Sequence, residues 1–192
     1  MNIKAETKEI RRHTNSWNQD ACVLGCVQNK IQYQQELYTR FYSSMMAAVL
    51  RYTNDRDEAS TILNNGFLRV FKKINTFKNE GSLEGWIRRI IIHSVSDYFR
   101  YKNPPIEILK DTIPDNTSSI NIESQHDYNL LLNVLNALPQ TTRLVINFFI
   151  IDGFSHKEIA QMLGISENTS KWHVANGRKI LQEKLVSYNN ND

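Results

Sequence analysis

Residues Phe154 to Leu185 have the sequence FSHKEIAQMLGISENTSKWHVANGRKILQEKL and predict two helices joined by a tight turn. Apolar residues recur at helical spacing before Gly164, and glycine supplies the positive φ that such a turn requires. Ser166 stands where a second helix needs an N-cap, because its hydroxyl can accept from an unpaired backbone N–H. This layout predicts a helix-turn-helix, whose second helix enters the DNA major groove. The alternative is a helical hairpin that only packs into a core.

The second helix of this pair has one face suited to DNA. Its inner face is predicted to carry Ser170, Val174, Gly177, Leu181 and Leu185. Its outer face is predicted to carry Asn168, Lys171, Trp172, Ala175, Asn176 and Lys179. Asn176 could pair with an adenine edge, whereas Trp172 could meet a thymine methyl or restrict which sequences fit. Gly177 costs about 1 kcal/mol relative to alanine inside a helix, which indicates either close packing or relaxed constraint.

Composition excludes several classes of protein. The 192 residues are 41% hydrophobic, and no apolar run reaches the about 18 residues of a membrane-spanning helix. Residues 1–17 lack the apolar stretch of a secretory signal, so we expect a cytoplasmic protein without membrane insertion. The net charge is only +3, so a nucleic-acid surface must come from local clustering. The sequence has no Gly-rich phosphate loop, HExxH motif or nucleophile with a base at motif spacing, so we expect neither an enzyme nor a cofactor.

The cysteines Cys22 and Cys26 lie four residues apart, on one face of a predicted helix. A disulfide is not expected in a reducing compartment. Only His13 is close enough in sequence to join a metal site. We therefore predict two buried apolar thiols and no metal, with a metal or redox role as the alternative.

The chain is predicted to be all-α, because glycine, proline and β-branched alternation are scarce. Two small helical domains are expected, joined by a flexible acidic linker. The predicted segments are a tail at 1–19, a first module at 20–102, a linker at 103–127, a second module at 128–187 and a tail at 188–192. The linker has five acidic residues and one lysine, which favours a solvated, extended segment.

A basic and aromatic helix is predicted from Leu83 to about Tyr101, with Ser82 as its cap. Its outer face is predicted to carry Arg88, Arg89, His93, Ser96 and Arg100. Aromatic residues are interleaved with these charges. Basic side chains follow phosphates and aromatic rings stack on unpaired bases, so the pattern indicates single-stranded nucleic acid. The alternative is an amphipathic helix with a solvated basic face.

Two stretches together resemble a known family. The sequence from Leu37 to Arg100, which includes GFLRVFKKINTFKNEGSLEGWIRRIIIHSVSDYFR, resembles region 2 of extracytoplasmic-function (ECF) sigma factors of the sigma-70 type. The sequence from Leu135 to Leu185, which begins LNALPQTTRLVINFFIIDGFSHKEIAQMLGIS, resembles their region 4. The order of the two regions and the linker length also fit that architecture.

The resemblance implies a protein that binds core RNA polymerase and directs promoter recognition and melting. It assigns polymerase binding to the helix from Asp57 to Ile74, on a face with Thr61, Asn64, Asn65, Leu68, Arg69 and Lys72. It assigns the single-stranded −10 element to Asn79, Glu80, Ser82, Arg88, Arg89, His93 and Arg100. One flipped base would lie near the loop from Asn79 to Ser82. It assigns the duplex −35 element to Asn168, Thr169, Lys171, Trp172, His173, Asn176 and Lys179.

The resemblance also implies a grip on the polymerase flap by the part with Leu144, Phe148 and Phe149, and it makes an anti-sigma factor a candidate partner. The chain departs from the family at Thr61, Asn64 and Asn65, where members usually carry acidic and glutamine residues. Weaker or differently tuned polymerase binding is therefore expected. These lost charges also motivate the alternative function, a helix-turn-helix regulator that does not bind core polymerase.

Overall fold

The computed structural model describes residues 17–102 and 133–189, and within these ranges every regular element is helical. The first group of helices comprises α1 (Gln19–Val27), α2 (Ile31–Val49), α3 (Arg56–Lys73), a 3₁₀ turn (Ile74–Thr76) and α4 (Leu83–Lys102). The second group comprises α5 (Gln140–Ile146), a π-helical turn (Asn147–Ile151), α6 (His156–Leu163) and α7 (Glu167–Asn189), preceded by a helical turn at 133–136. The all-α prediction is confirmed. The predicted linker at 103–127 lies outside the described residues, as does most of the predicted tail at 1–19.

Side-chain caps begin α1 and α3 of the first module, whereas α2 begins without one. Asn18 accepts from the N–H of Ala21 at the start of α1, so Asn18 is the N-cap and Asp20 is an acid of the first turn. Asp55 accepts from the N–H groups of Asp57 and Glu58 at the start of α3. Such caps satisfy backbone donors that have no partner within the helix. The caps determine the first residue of each helix, which the spacing of the apolar residues alone does not determine.

The first module has an apolar core formed by α1, α2, α3 and α4. Its fully buried side chains include Leu37, Met45, Tyr52, Ile62, Phe67, Ile87 and Ile91. Trp17 stacks edge-on against Phe41, and the guanidinium of Arg40 lies 4.4 Å from the Trp17 ring centroid. Residue 17, which lies within the predicted tail, therefore belongs to the packed structure of the first module.

Both cysteines are buried, as the sequence predicted. Cys22 and Cys26 are each 1% exposed, and burial raises the pKa of the Cys22 thiol to about 12. A thiol with such a pKa stays protonated at neutral pH and is a poor nucleophile or metal ligand. In the described part of the chain, no group of three or more His, Cys, Asp or Glu side chains is placed to hold a metal ion.

The helix-turn-helix forms as predicted. Ser155 begins α6 with a capping box, in which its hydroxyl accepts from the N–H of Glu158 while the Glu158 carboxylate accepts from the N–H of Ser155. Gly164 ends α6 in the left-handed region, with φ of 70°. The Ser166 hydroxyl accepts from the N–H of Thr169 at the start of α7, which confirms it as the cap.

The sequence prediction is wrong about one side chain of α4. Ser96 was placed on its outer face, but it is 1% exposed and its hydroxyl donates to the carbonyl of His93. In the segment whose resemblance implies a grip on the polymerase flap, Leu144 and Phe148 are buried in the core of the second module. The apolar side chains that this segment does expose are Ile150 and Ile151. Across the described ranges, no helix combines the length and apolarity needed to cross a bilayer.

The two modules share one continuous apolar cluster. Helix α4 of the first module contacts α6 of the second. Tyr52, after α2, lies against Phe148 of the π-helical turn, with 5.1 Å between their ring centroids. The sequence contains no local signal for this contact, because its two sides lie about a hundred residues apart.

Candidate promoter and polymerase interface

The outer face of α7 presents the polar side chains that were predicted to contact duplex DNA. Asn168, Lys171, Trp172 and Lys179 are exposed, and Asn176 is half-buried. Trp172 keeps 56% of its surface exposed despite its size. Its ring lies edge-on to that of His173, with 4.9 Å between the centroids, and the rest of the ring surface faces solvent.

His173 is not on that face, and its assignment to DNA contact is wrong. It is 1% exposed, and its Nδ1 lies 2.9 Å from the hydroxyl Oγ1 of Thr142 on α5. The reason is the helical spacing: positions 170, 173, 174 and 177 form one buried stripe of α7. Thr169 is also engaged, since its hydroxyl bonds with that of Ser166 at 2.8 Å.

Contacts on the buried side of α7 fix its orientation. A Cβ added at Gly177 would lie 2.7 Å from Cγ1 of Ile146 and 2.9 Å from Cγ2 of Thr142, so α7 and α5 approach closely there. The hydroxyl of Ser170 lies 3.0 Å from Nδ1 of His156, whose ring stacks on Phe149. Of the two interpretations of Gly177, close packing is confirmed.

The loop before α4 is tied to the start of α1. Asn79 has φ of 60°. Its side-chain oxygen accepts a hydrogen bond from Gln19 at 3.0 Å, and its side-chain nitrogen donates one to Asp20 at 3.1 Å. Gly81 follows with φ of 98°, and the Ser82 hydroxyl accepts from the N–H of Gly85 at the start of α4. Glu80 and Ser82 are exposed. The loop is therefore held in place while its tip stays open to solvent.

The basic side chains at the start of α4 face the second module. Arg89 donates to Glu158 of α6 at 2.9 Å, and its guanidinium lies 5.3 Å from the Phe154 ring centroid. Arg88 Nε lies 3.6 Å from a carboxylate oxygen of Asp152. The His93 ring lies edge-on to Phe154, and burial, helped by the nearby charge of Arg89, lowers the pKa of His93. Arg100, near the other end of α4, pairs with Asp97 at 2.8 Å.

Most of the side chains predicted for the polymerase contact are exposed on α3. Thr61, Asn64, Asn65, Leu68 and Lys72 are exposed. Leu68 is 58% exposed among these polar side chains. The Tyr38 hydroxyl donates to Asn64 at 3.0 Å, whereas Arg69 is only half-exposed and pairs with Asp97 on α4. The face is thus a polar surface with one apolar side chain on it.

The sequence prediction missed a buried polar cluster between the modules. Asp152, for which no role was predicted, accepts from Arg51 Nη2 at 2.9 and 3.1 Å and from the Tyr52 hydroxyl. The pKa of Tyr52 is raised well above its ordinary value, by burial first and then by the Asp152 charge. The partners lie about a hundred residues away in sequence, so only the folded structure joins them.

Comparison with known proteins assigns the two modules. A family model for Sigma-70 region 2 matches residues 37–104. A model for Sigma-70, region 4, matches residues 128–181. Together they span more than half of the chain, in the family's order. The chain belongs to the sigma-70 family, in its ECF group.

Individual relatives are distant in sequence. RNA polymerase sigma factor SigZ of Bacillus subtilis is 24% identical over 152 residues, which cover 79% of this chain and 86% of the relative. ECF RNA polymerase sigma factor SigE of Mycolicibacterium smegmatis is 24% identical over 162 residues, which cover 80% of this chain and 62% of the relative. Sigma factor RpoE of Bartonella quintana, solved with the anti-sigma factor NepR, is 21% identical, with a TM-score of 0.49 over 79% of this chain and 95% of that one.

Proposed function

We propose that the protein is an ECF-type RNA polymerase sigma factor that binds core polymerase and directs promoter recognition and melting. The observation that carries the proposal is the presence of both sigma-70 regions in one chain, in the family's order. The first module supplies an exposed polymerase-facing surface on α3. The second supplies the exposed recognition face of α7. It acts in the cytoplasm, as a transcription initiation factor and not as an enzyme, and an anti-sigma factor remains a predicted partner.

The proposal is tested by transcription from a library of genomic fragments with bacterial core polymerase purified free of sigma factors. We expect RNA 5′ ends that depend on the added protein and that share −10 and −35 sequences upstream. A pull-down with core polymerase separates this function from the alternative regulator, because a simple DNA-binding regulator is not retained. Absence of both retention and new transcripts would overturn the proposal.

The lysines on the outer face of α7 are proposed to contact phosphates. Lys171→Ala and Lys179→Ala should each weaken binding to duplex DNA of any sequence, because each removes one exposed charge that displaces counterions. The slope of log affinity against log salt should fall by about one for each variant. Lys30→Ala, an exposed lysine of the first module, serves as the control and should leave the slope unchanged. If the salt dependence of DNA binding in both α7 variants has the same slope as in the parent protein, the two lysines do not contact phosphates.

Trp172 is proposed to determine which −35 sequences fit the recognition helix. Trp172→Ser removes a large exposed ring whose edge-on contact with His173 is lost. The side chains of the buried stripe of α7 all remain, so the helix should still form. Selection from DNA randomised at the −35 element, in the presence of core polymerase, should return a broader or shifted consensus. If the variant selects the parental consensus at the same stringency, Trp172 does not contribute to recognition.

A further inference from the structure

Two tyrosines of α2 adjoin the exposed face of α3. The Tyr38 hydroxyl donates to the side-chain oxygen of Asn64 at 3.0 Å, and the ring centroids of Tyr38 and Phe67 are 4.7 Å apart. Tyr42 lies one turn further along α2, and its ring centroid is 5.5 Å from that of Tyr38. Residues four apart are neighbours on a helix surface. The two tyrosines therefore extend the face of α3 sideways onto α2.

The extended surface is continuous from one helix to the other. Asn64 and Leu68 are one turn apart on α3, and both are exposed. Tyr38 is half-buried beside Asn64, and Tyr42 is 37% exposed. These four side chains form one row, the aromatic strip, which runs from Leu68 across Asn64 and Tyr38 to Tyr42.

The aromatic strip is free of charged residues. The part of α3 from Ala59 to Leu68 has none, and the two charged residues of α2 are Glu36 and Arg40. The Arg40 guanidinium lies 4.4 Å from the Trp17 ring centroid, and Glu36, four residues earlier, shares that side of α2. The charges of α2 therefore lie on the side of the helix away from the two tyrosines.

The composition of the aromatic strip is typical of the centre of a protein–protein interface. Such centres are enriched in tyrosine and depleted in charged residues relative to the rest of the surface. A nucleic-acid backbone, in contrast, is bound by basic side chains, which the strip lacks. The strip is therefore suited to an apolar surface of a protein partner and not to DNA.

The aromatic strip shares Asn64 and Leu68 with the face of α3 that is proposed to bind core polymerase. A partner that covers this face and reaches across Asn64 also meets the two tyrosines. We propose that Tyr38 and Tyr42 form a second part of the core-polymerase contact, in which apolar burial and not ion pairing provides the affinity. The inference rests on the proposed function for the identity of the partner.

The test is a titration of the labelled full chain with core polymerase in the absence of DNA. Tyr42→Ser should weaken binding by about tenfold, because it removes an aromatic side chain from the centre of the contact. Tyr42 is not part of the buried core, so the variant should fold. Tyr42→Phe keeps the ring and should bind within about twofold of the parent.

Salt separates apolar burial from ion pairing in the same titration. Salt screens exposed charges more strongly at about 0.5 M than at about 0.1 M. The ratio of parent to Tyr42→Ser affinity should therefore be the same at both concentrations. Tyr101→Ser is the matched control, because Tyr101 on α4 is 94% exposed and lies outside the strip. It should leave affinity for core polymerase unchanged.

Parental affinity in Tyr42→Ser, an equal loss in Tyr101→Ser, or a loss that disappears at high salt would overturn the proposal. So would a Tyr42→Ser variant that binds core polymerase normally and loses affinity for DNA, because the strip would then belong to a DNA contact. Failure of the proposed function gives a different result. A parent chain that core polymerase does not retain overturns both, whereas a parent that supports transcription beside an unaffected Tyr42→Ser variant loses only the tyrosine contact.

Discussion

Leu68→Asp should reduce affinity for core RNA polymerase by about 30-fold or more. Leu68 is 58% exposed on the outer face of α3, among Thr61, Asn64 and Asn65. A central apolar side chain that becomes desolvated at an interface contributes about 2 kcal/mol or more to binding. Replacing it with a charge adds the cost of burying a carboxylate without a partner. The measurement is a titration of labelled protein with core polymerase.

Leu24→Asp provides a matched control, because Leu24 on α1 is also 58% exposed. The two variants make the same chemical change at the same exposure on different faces of the first module. Folding should be unaffected in both, since neither side chain belongs to the core. Equal losses of polymerase affinity would mean that α3 is not the specific contact, and no loss in Leu68→Asp would remove Leu68 from the interface.

The sequence predicts those parts of the structure that depend on neighbours along the chain. Local chemistry and helical spacing predict three such features: the positive φ of Gly164, the caps at Ser82 and Ser166, and the buried thiols. All three are confirmed. The same spacing explains most of the exposed face of α7. Local pattern is sufficient here because each of these features depends on residues within one or two turns.

The errors occur where tertiary contacts decide. His173 is a polar side chain in the middle of the recognition helix, and its burial and its bond to Thr142 place it in the core. A strict three- and four-residue count from Ser170 would have placed His173 on the buried stripe. The cluster of Asp152 with Arg51 and Tyr52 has no such local signal, since a buried ion pair between distant segments leaves no periodic pattern.

What covers the outer face of α4 is also beyond the reach of a sequence pattern. Arg88, Arg89 and His93 lie on that face, as predicted, and the structure turns the face toward Phe154 and Asp152 of the second module. Helical spacing predicts which side chains share the face, whereas its partners lie about 60 residues further along the chain.

Gly177→Ala should lower the free energy of unfolding by up to about 2 kcal/mol, although alanine is the better helix former. The added methyl would lie 2.7 and 2.9 Å from two atoms of Ile146 and 2.9 Å from Cγ2 of Thr142. Overpacking of this kind costs about 1–3 kcal/mol, whereas glycine to alanine inside a helix gains about 1 kcal/mol. Thr142 cannot easily move aside, because its hydroxyl is bonded to the buried His173. Chemical denaturation of the full chain measures the difference.

Gly85→Ala makes the same change inside α4, where the nearest atom to the new methyl is Cβ of Ser82 at 3.8 Å. Because the new methyl overlaps no atom, only the helix preference of alanine over glycine remains. The free energy of unfolding of this variant should therefore be unchanged or higher by up to about 1 kcal/mol. Opposite signs for the two variants would show that contact with α5, and not helix preference, requires glycine at position 177. A stabilised Gly177→Ala would mean that α7 can move away from α5 without loss. In the expected case, the same displacement should also shift Lys171 and Trp172 and weaken binding to duplex DNA, because the buried face of α7 determines where its outer face lies.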